Sequence, residues 1–105
     1  MTETDRHILK EFARRIRQRF PEADIWAFGS RARGNADADS DLDVCVVVDG
    51  LDEDKDRQIM AIAWEVGFAV EIVISTVTFS QDELTNGPLS ESAIVREIRR
   101  DGVAA

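Results

Sequence analysis

Apolar residues recur every three or four positions in three stretches of this chain, a spacing that places them on one face of a helix. The stretches are residues 4–20, 52–67 and 90–100. Pro21 ends the first helix, and Gly67 is predicted to cap the second helix at its C-terminus. For the last helix the predicted cap is Ser90 or Ser92, and the residues predicted to face inward are Ile94, Val95 and Ile98.

Three shorter apolar stretches, rich in β-branched and aromatic side chains, predict strands over residues 24–28, 41–48 and 68–75. Beyond its first residues the second stretch is apolar on both faces, which is typical of a strand in the middle of a sheet. The third stretch is apolar apart from Glu71. Residues 76–89 contain an Asn-Gly-Pro turn signal and are predicted to form a loop.

The predicted order of elements is helix, strand, strand, helix, strand, helix, which favours an α/β (α+β) fold with helices packed on a small mixed sheet. With 105 residues the chain has the size of a single domain, residues 1–105. No apolar run approaches the roughly 18 residues that a membrane helix needs, and the polar first residues are unlike a signal peptide. The one cysteine, Cys45, has no partner for an internal disulfide. We therefore expect a cytoplasmic protein without membrane contact.

The charge balance is acidic, with 13 basic and 21 acidic residues and a formal net charge of −8. Direct binding to nucleic acid is not expected, because the phosphate backbone requires a basic surface. Two interpretations of the acidic excess stay open. It serves solubility, or part of it forms a metal site and part faces a basic partner protein.

Asp41 and Asp43 are candidate metal ligands, since residues two apart on a strand point to the same side and lie about 7 Å apart. Carboxylate oxygens suit Mg²⁺, and two such ions stabilise both the attacking and the leaving oxygen of a phosphoryl transfer. Glu71 is the candidate third acid, as ligand or general base, because a carboxylate inside an apolar strand is costly to bury without a cation. Taken separately, Asp41 is also an ordinary turn residue, and Glu71 is also an edge-strand residue facing water.

The segment before these acids, Gly29-Ser30-Arg31-Ala32-Arg33-Gly34, is a candidate phosphate-binding turn. Gly29 lets the backbone approach a phosphate closely, and Ser30 offers its hydroxyl. A short helical turn here would add free N–H groups that favour an anion. Arg31 and Arg33 are candidates for neutralising phosphate charge, and Ser40 completes the candidate nucleotide-binding residues.

Gly29-Ser30 followed by Ser40-Asp41-Leu42-Asp43-Val44 resembles the signature of the polymerase-β-type nucleotidyltransferase superfamily. The Gly-Ser-Arg-Ala-Arg-Gly form and the short length are most similar to its minimal nucleotidyltransferase (MNT) branch. The resemblance implies a polymerase-β-like fold, with Gly29 and Ser30 holding the triphosphate of ATP and Asp41 and Asp43 binding Mg²⁺. It further implies two ions, with Mn²⁺ as the alternative metal, and a third acid on a later strand. That role falls on Glu71, where the superfamily often has Asp.

The resemblance also implies a partner. MNT proteins lack the additional domain with which larger members bind the acceptor, and many are antitoxins paired with a HEPN-domain toxin, a helical ribonuclease. They transfer AMP from ATP to a tyrosine of that toxin, and the resemblance implies the same reaction for this chain. The alternatives are an antitoxin that neutralises its partner by binding alone, and a small-molecule nucleotidyltransferase whose acceptor pocket is built by oligomerisation.

Overall fold

A computed structural model of the chain describes residues 1–87 and 92–105. The helices are α1 (Glu3–Arg19), α2 (Gly29–Arg33), α3 (Glu53–Val70), α4 (Gln81–Asn86) and α5 (Ala93–Asp101). The strands are β1 (Asp24–Phe28), β2 (Leu42–Val48), β3 (Ile74–Ser80) and β4 (Val103–Ala104). In the described part of the chain, no helix is long and apolar enough to cross a membrane.

The strands form one mixed sheet in the order β3-β2-β1-β4. β1 runs antiparallel to β2 and to β4, whereas β2 runs parallel to β3, with α3 as the crossover between them. The mixed sheet and the central position of β2 are therefore as predicted. Every β2 residue except Asp43 is at most 1% exposed, because helices cover both faces of the sheet.

The side chains of β2 alternate between two apolar cores. Leu42, Val44, Val46 and Val48 pack with α1 and α3 in the larger core. Cys45 and Val47 lie in the smaller core with Phe79 and with α5. Since Asp43 is two residues before Cys45, its carboxyl group lies on the α5 side of the sheet. Burial raises the pKa of the Cys45 thiol to about 12, as expected for a small buried apolar residue.

Helix α1 begins with a capping box between Thr2 and Asp5. The Thr2 hydroxyl accepts from the Asp5 N–H at 3.0 Å, and the Asp5 carboxylate accepts from the Thr2 N–H at 3.3 Å. The predicted apolar stripe of this helix is buried, and it includes Ile8, Leu9, Phe12 and Ile16.

The third strand begins later than predicted, and the helix before it is longer. The prediction of a strand over residues 68–75 is wrong for its first part, because α3 continues through Gly67 to Val70. The chain reverses at Glu71, which adopts the left-handed conformation with φ 58° and ψ 38°. The Glu71 N–H then bonds to the Phe68 carbonyl and the Ile72 N–H to the Gly67 carbonyl, which ends the helix.

Gly67 is thus not the cap that its sequence position predicts. It lies inside α3 with ordinary helical geometry, and its α-carbon packs directly on the chain that returns from the helix. A β-carbon at this position would collide with the Ile72 carbonyl oxygen and would lie 3.4 Å from the Ile74 nitrogen. The glycine permits close packing between the helix and the start of β3.

Two further predictions are corrected. Residues 76–89 are not a loop throughout, because Thr76–Ser80 completes β3 and α4 follows with a capping box between Ser80 and Glu83. Ile94 does not face inward, since it is 36% exposed, whereas Val95 and Ile98 are buried. Ser92 caps α5. The alternative cap Ser90 and the end of the predicted loop lie outside the described residues.

Replacing Glu71 with glycine is expected to raise the free energy of unfolding by about 1 kcal/mol, because glycine adopts the left-handed conformation without strain. Urea unfolding measures the change. The matched control is Ala61→Gly in the exposed middle of α3, which should lower stability by about 1 kcal/mol. A loss of stability in Glu71→Gly would instead indicate that this residue lies in a strand.

Candidate active site

The end of β1 and the start of β2 bring Gly29 against Asp43. Phe28 pairs with Asp43 in the antiparallel ladder, and Gly29 is the next residue of the chain. Gly29 has a φ of 76°, and a β-carbon there would collide with the Asp43 carboxylate and lie 3.2 Å from its Cγ. Glycine is therefore required both by the backbone conformation and by the carboxylate packed on it. The two halves of the sequence motif form one structural unit.

Negative charge accumulates around the Asp43 carboxyl group, which is half-buried. Its pKa is raised, first by desolvation on burial and then by the nearby Asp41 and Glu97 carboxylates, while the Arg33 guanidinium acts in the opposite direction. Asp41 lies one residue before β2 and is exposed. The strand pattern predicts that these two acids share a side, and their electrostatic interaction agrees with that. A cation would offset the charge concentrated here.

Glu97 is a residue of this site that the sequence analysis does not identify. It lies on α5, and its carboxylate accepts a hydrogen bond from Arg33 Nη1 at 2.7 Å. Both side chains are about one-third exposed. In the sequence Glu97 is one of several charged residues on an amphipathic helix, and only the docking of α5 on the sheet brings it close to Asp43.

Arg31, a predicted phosphate-neutralising residue, is buried in this structure, and its guanidinium bonds to groups of the chain itself. The side chain is 9% exposed. Nη1 donates to the Asp5 carboxylate at 2.8 Å, Nε to the Ser40 carbonyl at 2.8 Å and Nη2 to the Ala38 carbonyl at 3.2 Å. Arg31 therefore ties the N-terminus of α1 and the loop before Asp41 to α2. It positions the acids without facing the site.

Ser40, another predicted nucleotide contact, bonds within its own loop in this structure. Its hydroxyl donates to the Asp37 carboxylate at 3.1 Å and accepts from the Asp37 N–H at 3.2 Å. The same carboxylate accepts from the Asp39 N–H at 3.0 Å. These bonds form a compact turn that leads directly into Asp41.

Glu71 is not brought together with Asp41 and Asp43. It is exposed at the end of α3 instead of lying on β3. The β3 residue in register with Asp43 is Ser75, a hydroxyl in place of a carboxylate. Among the described residues, no group of three or more acidic, histidine or cysteine side chains is arranged to hold a metal ion. Asp41 and Asp43 remain the two carboxylates of this site that could hold a cation.

The first turn of α2 keeps the features expected of a phosphate-binding turn. Its N-cap residue is Phe28, which provides no side-chain hydrogen bond to the first N–H groups of the helix. Ser30 is half-buried, and within the described residues its hydroxyl has no hydrogen-bond partner. Gly34 closes the turn in the left-handed conformation. The Ser30 hydroxyl, one residue after the glycine that packs on Asp43, therefore remains available to a ligand.

Comparison with known proteins identifies one family. The family model described as a nucleotidyltransferase domain matches residues 9–103. That range contains both acids, the Gly-Ser turn, Arg33 and Glu97. No curated protein is similar enough to the chain to count as a match.

Solved structures share the fold at low sequence identity. One similar chain is from the crystal structure of a toxin–antitoxin complex with AMP-PNP, with 19% identity, a TM-score of 0.59 and coverage of 90% of this chain and 70% of that chain. Another is from the tri-AMPylated Shewanella oneidensis HEPN toxin in complex with MNT antitoxin, with 17% identity, a TM-score of 0.57 and coverage of 95% and 70%. The predicted polymerase-β-like fold is confirmed.

Replacing Arg31 with methionine is expected to lower the free energy of unfolding by about 3 kcal/mol or more, because the buried Asp5 carboxylate loses its cation. The same change two residues on, Arg33→Met, breaks a partly exposed ion pair and should cost less than about 1 kcal/mol. Urea unfolding of both variants gives the comparison. Equal losses would mean that Arg31 is not the buried anchor of the loop.

Replacing Asp43 with asparagine is expected to raise stability at neutral pH. The folded-state pKa of Asp43 is raised, so the carboxyl contributes stability when protonated and loses that contribution as pH rises through the raised pKa. The advantage of Asp43→Asn should therefore grow from about pH 4 upward and then level off. Thermal unfolding across pH measures it, and an advantage that is constant with pH would contradict the raised pKa.

Proposed function

The chain belongs to the nucleotidyltransferase domain family, and from that premise we propose that it transfers AMP from ATP to a hydroxyl group on a partner protein. The acceptor is a tyrosine of a HEPN-type toxin, which makes this chain the antitoxin of the pair. The observation that carries the reaction class is the packing of the Asp43 carboxylate on Gly29. It places a carboxylate in a region of concentrated negative charge directly against a turn with free polar groups.

Asp41 and Asp43 fit a divalent cation. Both are oxygen donors. The pKa of Asp43 is raised first by desolvation on burial and then by the nearby Asp41 and Glu97 carboxylates, whose negative charge a cation would offset. Mg²⁺ is typically bound by one or two carboxylates together with substrate phosphate oxygens and water. Mn²⁺ takes the same donors. The resemblance seen in the sequence implies two ions; with Glu71 away from the site, the two carboxylates Asp41 and Asp43 support one. When bound, the ion polarises the α-phosphate and stabilises the charge that develops there.

The remaining residues bind and orient the nucleotide. The Ser30 hydroxyl and the first N–H groups of α2 hold the β- and γ-phosphates, and Gly29 allows their close approach. The Arg33 guanidinium releases the Glu97 carboxylate and binds a phosphate oxygen instead. The acceptor hydroxyl then loses its proton to solvent water as its oxygen bonds to the α-phosphorus, the bond to the bridging oxygen breaks, and pyrophosphate leaves. Arg31 keeps the loop before Asp41 in place throughout.

Two observations support a protein acceptor. The net charge of −8 suits contact with a basic, RNA-binding partner. The structural neighbours include a toxin–antitoxin complex with AMP-PNP and a complex with an AMPylated HEPN toxin. A cytoplasmic location belongs to the same proposal.

Ser75 favours a second candidate function. A hydroxyl opposite Asp43 supplies neither a charged metal ligand nor a general base. This is the arrangement expected of an antitoxin that retains the fold and neutralises its partner by binding alone. The two functions differ in whether nucleotide is consumed, which a single assay can measure.

The test is incubation of the chain with ATP labelled at the α-phosphate, Mg²⁺ and a HEPN-type toxin as the acceptor protein. Label should pass to the partner, and Asp43→Asn should reduce the rate at least about a hundredfold, since it removes a charged ligand of the cation. The control is Asp39→Asn, an exposed carboxylate of the same loop.

The outcomes separate the two functions. Full activity in Asp43→Asn would show that the site is assigned wrongly. A partner that stays unlabelled, yet forms a complex and loses its ribonuclease activity, would support the binding-only antitoxin.

A further inference from the structure

An apolar face lies open on the side of α3 that points away from the core. It consists of Met60, Trp64, Phe68, Val70 and Val73, which are between 43% and 71% exposed. Trp64 and Phe68 stack with ring centroids 5.0 Å apart and an interplanar angle of 10°. Exposed apolar residues are common singly, but a continuous group of this size marks an interaction surface.

A groove of about 820 Å³ runs along this apolar face to the first residues of β3. Its other wall contains Ile74, Ser75 and Thr76. β3 is the edge strand of the sheet, so its outer backbone groups have no strand neighbour in the described part of the chain. An apolar wall and an open strand edge therefore meet in the same groove.

The groove is negative at one end. α3 points its C-terminus here, where the helix dipole is negative, and its last turn contains no basic residue. Glu71 follows directly as the exposed cap, and its carboxylate has no ion-pair or hydrogen-bond partner among the described residues. Glu71 is also the one ionisable residue among those that line the groove in the described structure. A cationic side chain on the occupant would be attracted to this end.

The groove and the candidate active site are separated by strand β3. Ser75 lines the groove and is in register with Asp43 on the neighbouring strand, about 5 Å away. The side chains of Ser75 and Asp43 lie on the α5 face of the sheet, whereas Trp64 and Phe68 lie on the α3 side. An occupant of the groove therefore lies along the outer edge of β3 and approaches the Asp43 carboxylate around that edge.

We propose that this groove is the docking site of the protein acceptor. The occupant is a segment of the partner protein that inserts large apolar side chains against Trp64 and Phe68 and places a Lys or Arg beside Glu71. The inference rests on the proposed function for the identity of the partner. Docking along β3 holds the partner at the sheet edge that is nearest to the donor site, and its hydroxyl then approaches the site around that edge.

A second copy of the chain fits the groove less well. The residues that line it include no Lys or Arg, so two copies would leave Glu71 without a cation. Two chains that each carry a net charge of −8 would also repel each other. The charges therefore favour a different, basic partner.

The test measures, by titration calorimetry, binding of the full chain to the HEPN-type protein that serves as acceptor in the label-transfer assay. The double variant Trp64→Ser/Phe68→Ser should raise the dissociation constant at least about tenfold, because buried aromatic side chains supply much of the binding energy of an interface. The control is Ile94→Ser on α5, an exposed apolar residue outside the groove. Glu71→Lys should also weaken binding, whereas Glu22→Lys, an exposed acid in the turn after α1, should not.

Binding of ATP with Mg²⁺ is measured on the same variants and should not change for Trp64→Ser/Phe68→Ser. Unchanged partner binding in that variant overturns the inference. The inference is also overturned if the wild-type chain dimerises in sedimentation and the variant loses the dimer but keeps the partner complex. Partner binding that depends on the groove without any label transfer would contradict the proposed function and leave the docking site standing.

Discussion

The contact between the Asp43 carboxylate and the α-carbon of Gly29 constrains everything else in the site. It requires a glycine in a left-handed conformation at the end of β1, and it requires β1 and β2 to be antiparallel neighbours in one register. A shift of that register by one residue would turn Asp43 into the α1–α3 core and put an apolar side chain on the turn. The two cores oppose this shift. Each β2 side chain is fitted to the core on its own face, and a one-residue shift would move every one of them to the other core.

Charge is distributed around this contact in two layers. Arg31 and Asp5 form a buried ion pair in which the carboxylate also closes the capping box of α1, so both oxygens of Asp5 have donors. The outer layer, Arg33 with Glu97, is partly exposed and able to exchange partners. The two arginines of α2 therefore differ in role. Arg31 lies between α1 and the loop before Asp41, whereas Arg33 lies at the partly exposed side of the site, next to Glu97.

The local parts of the structure follow from the sequence, and the parts that depend on long-range packing do not. The bounds of β1, the two faces of β2 and the short turn at Gly29 could be read from alternation and glycine placement. The burial of Arg31 could not, since an arginine in a polar motif reads as a surface charge. The position of Glu71 also could not, because Phe68–Ile74 alternates as a strand does. The first residues of this segment form the end of α3 instead of a strand because Gly67 lets the last turns of the helix pack against Ile72 and Ile74. Glu97 and Ser75 enter the picture only through the docking of α5 and the register of β3.

The parallel pairing of β2 with β3 has a consequence for the order in which the molecule opens. β1 and β2 are joined by residues 29–41, whereas β3 is joined to β2 through the whole of α3. Loop-closure entropy makes the longer connection the less favourable one to form, and β3 is also an outer strand with one ladder. Local opening should therefore release β3 while the β1–β2 pair stays closed. Amide hydrogens of β3 would exchange with solvent before those of β1, so the groove would be remodelled on a faster timescale than the carboxylate site beside it.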